Sequence, residues 1–278
     1  MSVPAFTAII AAGAVAAGII GSLTGLGGGV IIVPLLVLVF HVDIRYAIGA
    51  SLVTVIATSS GAAAAFLREG FSNVRVAMFL EIATTLGALS GAVIATRVPT
   101  NGLAIVFGGV LLYSAWLSAR PAHVDAVAGG EDRIARSLRL DSSYPGPHGP
   151  RPYHVQRVPL GFSVMYVAGV LSGLLGIGSG AVKVLAMDRA MRLPFKVSTT
   201  TSNFMIGVTA AASAGVYLHR GYIDPGLAMP IVLGVLAGAA AGARILPVAS
   251  TRLLRTVFVW VIVALALEML YNGITGRI

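Results

Sequence analysis

Two glycine-rich segments of this chain have the composition of an anion-binding turn. The first reads Gly25-Leu-Gly-Gly-Gly29 and the second reads Gly176-Ile-Gly-Ser-Gly180. Each precedes a short apolar run, so a helix entered through the glycines would point free backbone N–H groups and its positive dipole end at a ligand. The alternative is that the glycines only let helices pack closely, because glycine permits both sharp turns and close approach.

Lys183 lies directly after the second glycine segment, within an apolar run. A lysine at membrane depth is costly and needs a partner or a functional reason. It can pair with an anionic substrate, extend to the membrane interface, or form a salt bridge with Asp188. The position 151 residues earlier is Ile32, so any charge at this site is asymmetric.

Hydroxyl and amide side chains follow each short apolar run. Ser51 and Ser202 are 151 positions apart, and Asn203 is next to Ser202. Such groups can donate hydrogen bonds to sulfite, sulfonate or carboxylate oxygens. In membrane helices they also serve as interhelical hydrogen bonds or caps, and both roles stay open. The candidate substrate-binding residues are therefore Gly25, Gly27, Gly28, Gly29, Ser51, Gly176, Gly178, Ser179, Gly180, Lys183, Ser202 and Asn203.

Two carboxylates, Glu81 and Glu268, fall inside apolar runs. Either can relay protons in a coupled transporter, or be protonated and hydrogen-bonded near the end of a span. The five histidines lie in predicted loops without ligand spacing, and the chain has no cysteine, so we predict no metal site and no cofactor. No Gly-Lys-Ser/Thr follows the glycines, which excludes a nucleotide loop. No catalytic set falls within the runs, so an enzyme is disfavoured.

The composition indicates a membrane protein. Hydrophobic residues make up 57% of the 278 residues and charged residues only 10%, whereas soluble domains carry about 25% charged residues. The formal charge of +9 is better explained by basic loops facing the cytoplasm than by nucleic acid. The partners to expect are membrane lipid and a small anion, and a homodimer is compatible with the sequence.

The apolar runs and their breakers predict five helical segments in each half of an all-α fold. Matching residues such as Gly29 and Gly180 are separated by a constant 151 positions without a gap for about a hundred residues, which indicates an internal duplication. The second segment of each half is too short to span a bilayer of roughly 30 Å, and we interpret it as a half-helix entered through the glycine break, in a glycine-broken hairpin. Ten short and long spans, and six full spans with two re-entrant hairpins, are both compatible with this pattern. The predicted segments are 4–24, 30–40, 47–67, 76–96 and 102–119, then 160–175, 181–191, 197–218, 225–243 and 253–271.

The basic residues predict how the two halves are oriented. If each half crosses the membrane an odd number of times, 14 Lys and Arg are cytoplasmic and four are outside; an even number gives 10 and eight. The positive-inside rule favours the odd count, hence two inverted repeats, 1–119 and 160–278. The basic, Pro/Gly-rich stretch 120–159 is then a cytoplasmic linker, and its composition predicts no buried core.

The segment GSLTGLGGGVIIVPLL, followed by Gly-Ala-Ser-Leu at the start of the next helix, resembles the sulfite exporter TauE/SafE family of membrane permeases. The second half repeats the pattern, with Ser179 in place of a glycine and Leu185 opposite Pro34. The resemblance implies transport of sulfite, sulfoacetate or other organosulfonates in a plasma membrane, here a bacterial inner membrane. The positions that match the family's pattern are the glycines 25, 27, 28 and 29, Pro34 and Ser51 in the first half, and Gly176, Gly178, Gly180, Ser202 and Asn203 in the second.

These observations together predict a secondary transporter for a small sulfur-containing anion, working by alternating access around the two glycine breaks. A passive anion channel on the same scaffold, or a carrier of another small organic anion, is the alternative. Glycine and hydroxyl groups specify negative charge in the ligand but do not specify which anion.

Overall fold

The computed structural model describes residues 3–24, 29–68, 70–119, 132–146, 149–245 and 251–277. These residues form α-helices, two of which continue into a π-helical turn, and one small hairpin. In chain order the elements are α1 (Val3–Thr24), α2 (Gly29–Pro34) with π-turn Leu35–Val39, α3 (Ile44–Arg68), α4 (Val74–Ala95), α5 (Thr100–Ala119), α6 (Arg133–Ser137), β1 (Ser142–Gly146), β2 (Gly149–Tyr153), α7 (Val158–Leu175), α8 (Gly180–Leu185) with π-turn Ala186–Ala190, α9 (Phe195–His219), α10 (Pro225–Ile245) and α11 (Thr251–Thr275).

All ten predicted segments are helices, and their ends differ from the predicted ones by at most four residues. The duplication is also visible in the structure. Shifting α2, its π-turn and α3 by 151 residues gives the bounds of α8, its π-turn and α9 without any adjustment. Both short helices widen into a π-turn although Pro34 has Leu185 as its equivalent, so the widening does not depend on proline.

Helices of the two halves are exchanged in the packing. A Cβ on Gly169 of α7 would collide with the backbone of Thr84 on α4, and a Cβ on Gly18 of α1 would collide with the backbone of Val235 on α10. These two contacts are equivalent under the 151-residue shift. The small residues allow the backbones to approach closely, as is common between membrane helices. Such reciprocal contacts are the pattern of a two-fold related pair.

The equivalent helices α3 and α9 run antiparallel. Gly49 near the start of α3 lies against Tyr222, just beyond the end of α9, while Ser59 further along α3 lies against Gly207 in the middle of α9. The residue numbers therefore rise along one helix as they fall along the other.

The equivalent helices α5 and α11 are antiparallel as well. Gly108 lies against Ala266, and Gly273 lies against Asn101.

The outer faces of the long helices are apolar. On α4, Met78, Ile82 and Leu86 follow one another at i, i+4 and i+8, and each is more than half exposed. A stripe of that kind is unfavourable in water and is what lipid contact requires. By length and composition alone, three of the described helices can cross a bilayer, at 74–95, 158–175 and 225–242.

The stretch between the halves differs from its prediction where the structure describes it. Residues 132–157 contain α6 and the antiparallel β1–β2 hairpin. Leu140, Tyr153 and Val155 are almost fully buried and join a hydrophobic cluster with α4, α7 and the start of α9. The expectation that this stretch buries no core is wrong for these residues, because the core is supplied by the helices beneath them. Residues 120–131 lie outside the described part.

Hydrogen bonds attach this insertion to the helices. The Asn73 amide at the start of α4 donates to the Leu140 carbonyl (2.9 Å) and to the Tyr153 hydroxyl (2.8 Å). The Asp132 carboxylate accepts from the Val158 N–H at the start of α7 (3.0 Å). Burial raises the pKa of Asp132, but hydrogen bonds from Val158 and neighbouring backbone N–H groups outweigh it and hold the pKa below its usual value.

Candidate functional site

The second glycine break is a tight left-handed turn between α7 and α8. Gly176, Gly178 and Ser179 have φ values of 67°, 72° and 45°. Glycine adopts this region without steric cost, whereas serine is strained there. The turn connects the end of α7 to an 11-residue helix (α8 and its π-turn). Gly25, Gly27 and Gly28 of the first break lie outside the described residues.

Ser51 joins the two halves at this break. Its hydroxyl on α3 lies 2.8 Å from the carbonyl oxygen of Gly176 in the second half and 3.2 Å from that of Gly29 in the first half. The side chain is fully buried. Because its one hydrogen is committed to these carbonyls, Ser51 positions the break in this conformation and does not present a free donor.

Ser202 repeats the local half of that arrangement. Its hydroxyl donates to the Gly180 carbonyl at 3.2 Å, the same distance that separates Ser51 from the Gly29 carbonyl. The hydroxyls on α3 and α9 thus hold the first residue of the short helix in each half. Both serines lie beside the first residue of a short helix, and their roles in binding an anion stay predictions.

Two of the predicted site residues have side chains without a hydrogen-bond partner among the described residues. The Ser179 hydroxyl is buried and makes no hydrogen bond, although Ser179 occupies the position before α8 where a cap would form. Asn203 is half-buried, and no hydrogen bond joins its amide to any residue that the structure describes. A buried hydroxyl without a partner is rare in native structures and calls for an explanation such as a ligand or ion.

Lys183 forms a polar chain with two residues from other helices. Its ammonium group lies 2.5 Å from the Thr209 hydroxyl on α9, and that hydroxyl lies 2.7 Å from Oε1 of Glu81 on α4. Lys183 is fully buried, so it does not extend to the interface. Thr209 accepts from Lys183 and donates towards Glu81, which links a cation and an anion through one hydroxyl.

Sequence reasoning found Lys183 and Glu81 separately but missed Thr209 and the connection between them. The signal was present in the duplication. The equivalents of Lys183 and Glu81 are Ile32 and Val232, so both charges depart from the repeat together. Two residues of opposite charge that both have an uncharged equivalent in the repeat are candidates for a contact with each other.

Glu268 is placed differently from Glu81. It lies on an exposed face of α11 and makes no hydrogen bond within the part of the chain that the structure describes. As for metals, no group of three or more His, Asp or Glu that could hold an ion occurs among the described residues.

The antiparallel equivalents, the exchanged helices and the apolar outer faces define a multi-pass helical membrane protein with a polar break in its interior. The chain belongs to the sulfite exporter TauE/SafE family, whose model matches residues 9–269. That range includes all of α2 to α10 and most of α1 and α11.

Related proteins carry names that agree with membrane transport. The chain is 27% identical over 268 residues to the probable membrane transporter protein YunE of Bacillus subtilis, covering 93% of this chain and 95% of that protein. It is 25% identical over 269 residues to the probable membrane transporter protein MJ0441 of Methanocaldococcus jannaschii, covering 91% of each. A probable membrane transporter protein of Xylella fastidiosa is 27% identical over 263 residues, covering 92% of this chain and 93% of that protein. No solved structure matches this chain.

Proposed function

We propose that the protein is a secondary transporter that moves a small sulfur-containing anion, such as sulfite or an organosulfonate, by alternating access. The observation that carries the proposal is the Ser51 bridge, which ties the second glycine break to the first half. A break held between two related halves is where transporters of duplicated folds bind their substrates. The family name supplies the sulfur chemistry.

The anionic charge of the substrate follows from the groups at the break. The short helix starting at Gly180 directs its first N–H groups and positive dipole end towards the turn. The buried Ser179 hydroxyl is a donor without a partner among the described residues. Lys183 adds a full positive charge one turn into the same helix. All three features favour negative charge, and none of them favours a cation.

An inverted arrangement of the two halves is part of the proposal. It is supported by the antiparallel pairs α3–α9 and α5–α11 and by the surplus of basic residues that an odd number of crossings places on one side. An inverted pair brings the two breaks face to face near the middle of the membrane. The location we propose is the bacterial inner membrane, with the 120–159 insertion on the cytoplasmic side.

Alternating access requires two bodies that move against each other. The buried side chains form two hydrophobic clusters. One lies around the first part of α4, α7, the first half of α9 and the insertion, and the other lies around α1, α2, α3, α5, α10, α11 and the ends of α4, α7 and α9. Ile177 of the second break belongs to the cluster with α3, whereas Met187 of the π-turn that follows α8 belongs to the other, so a relative movement of the clusters acts across the break and its short helix.

A ligand screen by thermal unfolding tests this function. Purified protein in detergent is heated with sulfite, thiosulfate, methanesulfonate, sulfoacetate and matched carboxylates. An anion present at 100 times its Kd stabilises by about 2.7 kcal/mol, which raises Tm by about 5–10 °C. Stabilisation by sulfur oxyanions above carboxylates supports the proposal. Stabilisation by carboxylates alone would move the assignment to another organic anion, and no response to any anion would contradict it.

A further inference from the structure

The polar chain from Lys183 to Glu81 occurs on one side of the duplicated fold only. The equivalent residues under the 151-residue shift are Ile32 and Thr58 of the first half and Val232 of the second; the hydroxyl is kept and both charges are absent. Ile32 is fully buried and Val232 nearly so. The fold is therefore satisfied at this position by apolar packing, and the ionic version is not needed to hold the helices together.

A buried ammonium group needs a counter-charge. The cost of leaving Lys183 enclosed without one is several kcal/mol. In this conformation the counter-charge is Glu81, reached through Thr209. The contact is also made between halves, because Glu81 belongs to α4 of the first half and Lys183 to α8 of the second.

The Glu81 carboxyl group is only partly satisfied. Its Oε1 accepts from Thr209, and Thr85 approaches the same oxygen at 3.4 Å. Its Oε2 is buried and makes no hydrogen bond to any described residue. A buried carboxylate oxygen that accepts no hydrogen bond has lost its hydration, and no protein donor replaces the lost water. A proton bound to Oε2 would remove the charge and leave the hydrogen bond to Thr209 in place.

We propose that Glu81 is a proton site that couples proton uptake to anion binding, with Lys183 as the shared cation. In the empty protein the Glu81 carboxylate is the counter-charge of Lys183. When an anion reaches the break and pairs with Lys183, the Glu81 carboxylate takes up one proton from water and becomes a neutral acid. The buried charge sums to zero in both states, so one proton is bound with each monovalent anion. This inference rests on the proposed anion transport.

The surroundings contain few other groups that could take this proton. From α8 the charged residue facing Glu81 is Lys183, and from α9 the facing group is the Thr209 hydroxyl. The sequence of α7 has no charged residue, and its one tyrosine, Tyr166, is hydrogen-bonded to Ser90 on α4. On α4 itself the other charged residue is Arg75, at the helix start, which donates to a carbonyl of the insertion.

The experiment measures proton uptake on anion binding by the full-length protein in weakly buffered detergent solution. Methanesulfonate is the probe because it stays singly ionised over the working pH range and contributes no proton of its own. We expect one proton taken up for each methanesulfonate bound. By linkage, the Kd should fall by about tenfold for each pH unit of acidification while Glu81 is ionised in the empty protein.

Two variants sharpen the result. In Glu81→Gln the carboxyl group that takes up the proton is absent. Methanesulfonate binding should therefore no longer produce the infrared carbonyl band of a protonated carboxylic acid, which we expect to appear in the unmodified protein. Asp43→Asn is the matched control, because Asp43 is exposed at the start of α3 and asparagine caps equally well; it should keep the uptake of one proton.

The outcomes separate the two proposals. Methanesulfonate binding to the unmodified protein without proton uptake, or with a Kd that does not change with pH, would overturn the coupling and leave anion transport standing. A carboxylic acid band that still appears on methanesulfonate binding to Glu81→Gln would also overturn it. If Glu81→Gln does not fold, the pH slope of the unmodified protein decides the matter alone. If no sulfonate or sulfite binds at all, both proposals fail.

Discussion

Replacing Lys183 with isoleucine should destabilise the protein, although isoleucine occupies the equivalent buried place in the first half. The substitution leaves the Glu81 carboxylate enclosed without its counter-charge. It also removes the ammonium group that donates a hydrogen bond to the Thr209 hydroxyl. Breaking a buried ion pair by removing one partner costs about 3–5 kcal/mol. For a chain of this size that corresponds to a fall in Tm of about 6–20 °C.

The double variant Lys183→Ile/Glu81→Val should recover most of that loss. It copies Ile32 and Val232, which are the buried equivalents of Lys183 and Glu81 under the 151-residue shift. Replacing a buried ion pair by apolar residues of suitable volume is often neutral or stabilising. Unfolding in detergent of the unmodified protein, both single variants and the double variant then gives the coupling energy of the pair.

With each single variant losing about 3–5 kcal/mol and the double variant close to the unmodified protein, the cycle should give a coupling of about 6–10 kcal/mol between the two positions. The reasoning is refuted if either single variant loses less than about 1 kcal/mol, since that is within the range of an exposed pair. It is equally refuted if the double variant is as unstable as the worse single variant, because the two charges would then be independent.

Three further predictions follow from the packing and the orientation. Gly169→Leu should lower the free energy of unfolding by about 3 kcal/mol or more, because α4 leaves no room for a side chain there. Gly109 has open space around it, so Gly109→Leu should raise the free energy of unfolding by about 0.5–1 kcal/mol. Unfolding in detergent measures both changes. Cysteines at His41 and Arg192, equivalent left-handed positions, should be labelled from opposite sides in intact cells and inverted vesicles, and labelling from one side would contradict inverted repeats. Asp132→Ala should destabilise the insertion by about 1 kcal/mol at neutral pH. Because the pKa of Asp132 is lowered in the folded protein, the difference in stability between the variant and the unmodified protein should vanish as the pH falls through that pKa. Hydrogen exchange of residues 132–157 measures this difference.

The sequence predicted the helices well because hydrophobic runs and breakers are local signals. The 11-residue helices after the glycine breaks were expected from their length, and the 151-residue shift was expected from matching glycines. The insertion was harder to predict. A segment so rich in Pro and Gly cannot form a hydrophobic core by itself. Tyr153 is buried in a cluster with residues of α4, α7 and α9.

The candidate site was predicted by residue type and not by contact. Ser51 and Ser202 do lie at the breaks, but their hydroxyls point at backbone carbonyls, which no sequence pattern specifies. Glu81 reaches Lys183 only because α4 of one half packs among the helices of the other. This packing of a helix from one half among the helices of the other is a property of the whole topology. In the sequence, its sign is that the equivalents of Lys183 and Glu81, Ile32 and Val232, are both uncharged.

Counterflow in proteoliposomes tests the central claim most directly. Vesicles loaded with unlabelled sulfite and diluted into a trace of radiolabelled sulfite should accumulate label transiently, because a carrier that alternates between two sides exchanges one anion for another. Vesicles loaded with buffer alone should not accumulate it, and external sulfite should saturate the uptake. Label entry that rises linearly with concentration and shows no counterflow would identify a channel, and no entry of sulfite or any sulfonate would contradict anion transport by this protein.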